Sequence, residues 1–116
     1  MGNSGFRNLA AYQRSVEGAD RLYEDVARWG SFERWTLGVQ LVRAADSIGA
    51  NVAESAGRWH APDRRRLLFM ARGSLYEIEH WLLRAEERGL LPPEYTKWLE
   101  QTARALNGLI KKPTPR

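Results

Sequence analysis

The sequence predicts an all-α chain folded as an antiparallel, up-down-up-down four-helix bundle. Three observations predict it: apolar residues recur every three or four positions through four stretches, glycine and proline punctuate the gaps, and no stretch alternates as a half-buried strand does. The gaps hold only about three to six residues, so consecutive helices must pack antiparallel. A length of 116 residues fits one domain with one modest core.

The first helix is expected over about 6–29, after a flexible start at 1–5. Leu9, Tyr12, Val16, Ala19, Tyr23 and Val26 make its apolar stripe, and Gly30 stands where a C-terminal cap is wanted. Its other side repeats arginine every seven residues, at Arg7, Arg14, Arg21 and Arg28. Glu17, Glu24 and Asp25 lie within pairing reach, which favours a solvated ion-pair ladder over a phosphate-binding stripe.

The second helix, expected over about 32–57, has Ser31 placed to cap it. Projected at about 100° per residue, Leu37, Leu41, Ala44, Ala45, Ile48 and Val52 fall on a core stripe. Gln40, Arg43, Ser47, Asn51, Glu54 and Arg58 fall on a second, polar stripe. That stripe reads as a structural network, with side chains bonded to a neighbouring helix and fixing its register. The remaining arc carries Val39, Val42, Gly49, Ala50, Ala53 and Gly57, with Asp46 as its one charge. Small residues permit close backbone approach, so this arc should be covered, and Gly49, Ala53 and Gly57 are expected at an interface between copies.

Pro62 disfavours helical geometry at Ala61, so a turn is expected before a third helix over about 63–88 that stops at Gly89. Its core stripe is Leu67, Met70, Ala71, Ser74, Ile78, Trp81, Leu82 and Ala85. Phe69, Tyr76 and Leu83 form a second apolar seam, spaced by seven, on nearly the opposite side. One bundle cannot bury both faces, and a heptad interval is the signature of helix pairing. The seam and the small-residue arc are not copies of each other, which points to a head-to-tail ring rather than a twofold dimer. Pro92 and Pro93 open a fourth helix, expected over about 93–111, and a basic, proline-containing tail follows at 112–116.

Charge narrows the function. The net charge is +4, and residues 58–72 alone hold Arg58, Arg64, Arg65, Arg66 and Arg72 against Asp63. With Trp59 and His60 at the same turn, this is the combination that phosphate contacts and base stacking use, and a ring would multiply its field. The alternative is a solvated loop with Trp59 folded back on the bundle end. The absence of cysteine excludes disulfides and thiol nucleophiles and fits a reducing compartment. With neither a signal peptide nor a myristoylation pattern at its start, the chain is expected in the cytoplasm, and no stretch is apolar enough to span a membrane. Glu77-x-x-His80 matches a di-iron motif once, but that site needs two such motifs and two further inward glutamates, and His60 has Gly57 three residues before it. No metal, no cofactor and no enzymatic activity are expected.

The run Leu37-x-x-Gln40-x-x-Arg43-Ala44-x-x-Ser47-Ile48-x-Ala50-Asn51-Val52-Ala53-Glu54-Ser55-x-Gly57-Arg58, followed by Ala71-Arg72-Gly73-Ser74-Leu75-x-Glu77, resembles a known family. It is similar to the small bacterial four-helix-bundle proteins encoded in intervening sequences of 23S ribosomal RNA genes, the S23 proteins. The resemblance covers Phe6 to Ile110. It implies a bundle that assembles as a homopentamer, related in fold to the accessory variability protein of diversity-generating retroelements, which binds a reverse transcriptase and nucleic acid. Ser47, Asn51, Glu54, Arg58 and Glu77 are matched positions, which adds Glu77 to the structural network. The chain departs at Ser55, where glycine is common, and in having Trp29-Gly30-Ser31-Phe32 in place of Phe-Pro before Glu33, so a differently shaped first turn is expected. The expected partners are therefore further copies of the chain, RNA or DNA, and a reverse transcriptase or ribosomal component. In a second reading the seam binds a protein and the arginines only keep the chain soluble.

Overall fold

Backbone chemistry announced by the sequence cuts several of the helix ends. In the computed structural model, which describes residues 5–112, the helices are α1 (Ala10–Ala27), α2 (31–56), α3 (Ala61–Glu87) and α4 (Thr96–Lys111). Gly89, at φ +73°, ends α3: its N–H bonds the Glu86 carbonyl at 3.0 Å, and the Leu90 N–H reaches back to Ala85 at 2.9 Å. This is a Schellman cap, which needs the left-handed conformation that glycine adopts without strain.

The other ends differ from expectation by a few residues, each for a local reason. Leu9 is extended and separates α1 from a 3-10 turn at Gly5–Asn8, so the first helix is two pieces. Gly30 is extended and sits at the N-cap of α2, so it does not cap α1, and Ser31 is already helical. Ala61 is helical too, because Pro62 falls within the first turn of α3, where its missing N–H costs nothing. Pro92 and Pro93 shape the turn before Tyr95, and α4 begins only at Thr96. The end stretches expected at 1–5 and 112–116 lie outside the described residues, except that Gly5 opens the 3-10 turn and Lys112 follows α4.

Each helix packs against its neighbours in a closed cycle: α1 on α2 and α4, and α3 on α2 and α4. Gly38 of α2 faces Val26 near the end of α1, while Gly49 faces Tyr12 and Ser15 near its start, so the two run antiparallel. Tyr95, just before α4, donates to Asp25 late in α1, while Trp98 reaches back to Arg14. The resulting body measures 49 × 27 × 19 Å.

The core stripe read for α2 is buried throughout. That of α1 is rotated: Ala11, Ser15, Gly18, Ala19, Leu22 and Val26 face inward, while Tyr23 is 62% exposed. On α3, Leu67, Ala71, Ile78, Leu82 and Ala85 are buried as predicted, while Met70 is exposed and Leu68 and Leu75 join the core, so that stripe is widened to one side. Small residues explain the first shift, because Ser15 and Gly18 let other helices approach and an aromatic ring there would hold them apart.

Candidate nucleic-acid interface

The turn between α2 and α3 holds its aromatic residue on the outside of the bundle. The N–H groups of Gly57 and Arg58 bond the carbonyls of Glu54 and Ser55, closing α2, and His60 takes an extended conformation (φ −78°, ψ 121°) to start α3. Arg64, one turn into α3, donates through Nη1 to the carbonyls of both Arg58 and Trp59 at 2.6 Å. That guanidinium staples the turn and satisfies acceptors left over at the end of α2. Trp59 is 96% exposed, so it is not folded back on the bundle end.

The six residues expected to meet nucleic acid divide by what already holds them. Arg58 is paired with Glu54 at 2.6 Å within α2, and Arg64 serves the backbone. Arg72 is half-buried, bonded to Asn107 of α4 at 3.3 Å, with its guanidinium 4.8 Å from the centre of the Phe69 ring. Arg65 lies over the same ring at 5.6 Å, and Arg66 touches the sulfur of Met70 at 3.5 Å. Among the described residues neither Arg65 nor Arg66 has a carboxylate partner. An exposed indole therefore stands at the turn that leads into Arg65 and Arg66, two guanidiniums without an ion pair among the described residues.

Phe69, Tyr76 and Leu83 are 40%, 65% and 52% exposed, so the seam on α3 faces out of the bundle. The stacked guanidiniums of Arg65 and Arg72 join its Phe69 end to the basic turn. The small-residue arc of α2 is placed differently. Gly49 is buried inside the chain, where a Cβ would lie 3.1 Å from Ser15 Oγ. Ala53 lines a groove with Phe6, whose ring meets Tyr12 edge-on at 5.0 Å, so the chain's own N-terminal turn covers part of the arc. Gly57 is exposed.

The polar stripe does not form the interhelical network expected of it. Ser47 donates to the Arg43 carbonyl at 2.7 Å, Asn51 donates to the Ser47 carbonyl at 2.9 Å, and both bonds stay within α2. Glu77 accepts from Trp81 Nε1 at 3.2 Å within α3, and Gln40 is exposed. Among the described residues no side-chain hydrogen bond of this stripe reaches another helix; its one link is the Arg58 carbonyl, which accepts from Arg64 of α3. Register is set instead by Trp98 to Arg14, Tyr95 to Asp25, Arg72 to Asn107 and the Arg21–Glu94 pair at 2.6 Å. A short polar side chain on a helix finds its own i−4 carbonyl before it finds a neighbouring helix.

The arginine repeat of α1 is only partly a ladder along the helix. Arg14 pairs with Glu17 and Arg28 with Asp25, whereas Arg21 crosses to Glu94 in the turn before α4. On α3, the ring of His80 packs on Trp81 and Glu77 is bonded to the same indole. Among the described residues no three His, Asp or Glu side chains converge on a point that would hold a metal. Nor is any described helix long and apolar enough to cross a membrane.

The sequence reading missed a second aromatic cluster at the opposite end of α2. Tyr23, Phe32 and Trp35 are 62%, 75% and 72% exposed, around a π-helical turn at Arg34–Gly38. The signal was present as two aromatics flanking Arg34, but a regular projection places Trp35 without regard to the extra residue of a π turn.

This geometry meets a family-level finding. The model of the 23S rRNA-intervening sequence protein family matches residues 7–112, nearly the whole of the bundle. The chain belongs to that family. A crystal structure of an S23 ribosomal protein family member of unknown function, from Bacteroides thetaiotaomicron, is similar in fold to this chain. Its TM-score is 0.73 at 23% identity, covering 88% of this chain and 99% of that one. The comparison with curated proteins gives no match.

Proposed function

We propose that this 23S rRNA-intervening sequence protein is a non-enzymatic, ring-forming helical module that binds nucleic acid or a ribonucleoprotein through Trp59, Arg65 and Arg66. The supporting observation is the 96% exposure of Trp59 at the turn leading into Arg65 and Arg66, which have no carboxylate partner among the described residues. Desolvating a large indole against a base and neutralising phosphates with arginine both favour binding, and stacking contributes about 1–3 kcal/mol per base. Arg58 and Arg64 hold the turn in shape, so their role in binding is to position Trp59. Ring closure through the α3 seam would set several such turns around one axis and raise the local positive potential.

The test is a titration of fluorescently labelled RNA at two salt concentrations. Affinity should fall steeply with salt, and Trp59→Ala should weaken binding about tenfold or more, the equivalent of one stacked base. No binding at low salt, or binding unchanged by the paired change Arg65→Ala and Arg66→Ala, would overturn the reading. A second reading, a protein adaptor that docks a partner such as a reverse transcriptase on the seam, is favoured by the exposure of Phe69, Tyr76 and Leu83. Partner binding that survives loss of Trp59, Arg65 and Arg66 but not of Tyr76 would select it.

A further inference from the structure

The two ends of α2 carry the same chemistry. At one end stands Trp59 with Arg65 and Arg66. At the other, Tyr23 and Trp35 form the exposed walls of a cleft whose floor is Val26, Gly38, Val39 and Val42. Gly38 allows that floor, because a Cβ there would come 2.7 Å from Val26 and push α1 and α2 apart. Arg34 and Arg43 also line the cleft, and among the described residues neither is paired with a carboxylate. Among the described residues the one side-chain hydrogen bond of Arg34 goes to the Trp29 carbonyl, at 3.5 Å. The π-helical turn Arg34–Gly38 forms this corner, and such turns inside α-helices are frequent at functional sites.

Between the two ends runs the polar stripe of α2 that the bundle does not use for packing. Gln40, Ser47 and Asn51 lie along it, and its one carboxylate, Glu54, is neutralised by Arg58. Asp46 is set apart, in the groove between α1 and α2 that Asp20 also lines.

We propose that the cleft of Tyr23, Trp35, Arg34 and Arg43 is a second contact for single-stranded nucleic acid, joined to the Trp59 turn by the polar stripe of α2. The proposal rests on the nucleic-acid reading above and deepens it. Two aromatic walls accept unstacked bases, and two uncompensated guanidiniums on the rim accept phosphates. A double helix hides its base faces, so the occupant is single-stranded. From residue 35 to residue 59 an α-helical rise covers about 36 Å. A strand of about four nucleotides, at about 3.4 Å each when stacked, reaches one contact only, and one of about twenty reaches both. Two linked contacts raise affinity through effective concentration, without any new interaction.

The experiment compares binding of about four and about twenty nucleotides of oligouridylate to the full chain, with molecular mass followed by light scattering. The wild type should hold the longer strand about 100-fold more tightly or better. Trp35→Ala and, separately, the pair Arg34→Ala and Arg43→Ala should remove most of that advantage, change binding of the short strand by no more than about twofold, and leave the mass unchanged. A length advantage that persists in both variants overturns this inference and leaves the Trp59 reading standing. A change of mass with unchanged affinity for the long strand also overturns it, because the cleft is then a surface between copies. If the wild type binds neither strand, both readings fall.

Discussion

The indole of Trp98 lies directly on Gly18. The ring occupies the space a Cβ would fill on α1, and its Nε1 donates to the Arg14 carbonyl at 2.6 Å, one turn earlier. A carbonyl already engaged in the helix ladder has a second lone pair, so the bond costs α1 nothing. The absence of a side chain at residue 18 therefore fixes how close α4 can come to α1. In an exposed helix, glycine to alanine is stabilising by about 0.8–1.0 kcal/mol. At Gly18 the sign reverses: the new methyl must displace a rigid ring, and Gly18→Ala should cost about 1–3 kcal/mol. Gly73 and Gly108 have open space where a Cβ would stand, so alanine there should stabilise by about 0.8 kcal/mol. Urea unfolding of the three variants checks the contrast.

Tyr95 ties the same two helices at their other end. Its ring is 1% exposed and its hydroxyl donates to Asp25 Oδ2 at 2.6 Å. Burial first, and then the bond to the Asp25 carboxylate, push the phenol well above its ordinary 10.0. The folded chain thus keeps this proton where the unfolded chain gives it up, and the stability it contributes is present below pH 10 and lost as pH rises beyond it. Tyr95→Phe should lower stability at pH 7 by about 1.5–3 kcal/mol, the range for a hydrogen bond to a charged group, and should flatten the alkaline fall. Thermal melts from pH 7 to 11 read both effects.

Much of the fold was legible in the sequence, because helix periodicity and glycine–proline punctuation are local signals. The core stripe of α2 and the stop at Gly89 follow from them directly. Facing is harder to read where a helix packs on two neighbours. An apolar stripe through Tyr12 and Tyr23 is more hydrophobic than one through Ser15 and Gly18, yet closeness of approach selected the smaller residues. The candidate site was legible in composition but not in division of labour. Five arginines between residues 58 and 72 look equivalent until the structure binds Arg64 to two carbonyls, Arg58 to Glu54 and Arg72 to Asn107, leaving Arg65 and Arg66. The cover on the small-residue arc was also invisible, since Phe6 reaches it through a turn.

Asp46 gives a second pH-dependent prediction, of the same sign but at the acid end of the scale and with removal of the group stabilising. It lines the groove between α1 and α2 together with Asp20, and desolvation first, then the Asp20 charge, raise its pKa above 3.8. The folded chain holds that proton more tightly than the unfolded chain, so stability falls as pH rises from 3.8 through the raised value. At neutral pH the ionised group is a small standing cost. Asp46→Asn should raise the melting temperature at pH 7, and the gain should disappear toward pH 4. A gain that is constant across that range would mean the amide acts by packing instead.

The seam on α3 offers the sharpest separation of self-association from folding. Tyr76 is 65% exposed, midway between Phe69 and Leu83, and no hydrogen bond or ring contact inside the described bundle depends on it. Surface substitutions of that kind alter monomer stability by less than about 0.5 kcal/mol. Burying a carboxylate in an apolar interface costs several kcal/mol, which exceeds what a seam of this size can restore. Tyr76→Glu should therefore leave helicity and the melting transition of the isolated chain intact while reducing the mass seen by light scattering to that of one 13.3 kDa chain. Wild-type protein that already scatters as a single chain at high concentration would remove the ring, and with it the clustering of the Trp59 turns. Phe69→Ala provides the complementary reading, because Arg65 and Arg72 stack on that ring. Losing it should weaken assembly and free Arg65, whereas Arg72 keeps its bond to Asn107, so RNA affinity should fall less than in Tyr76→Glu at the same loss of mass.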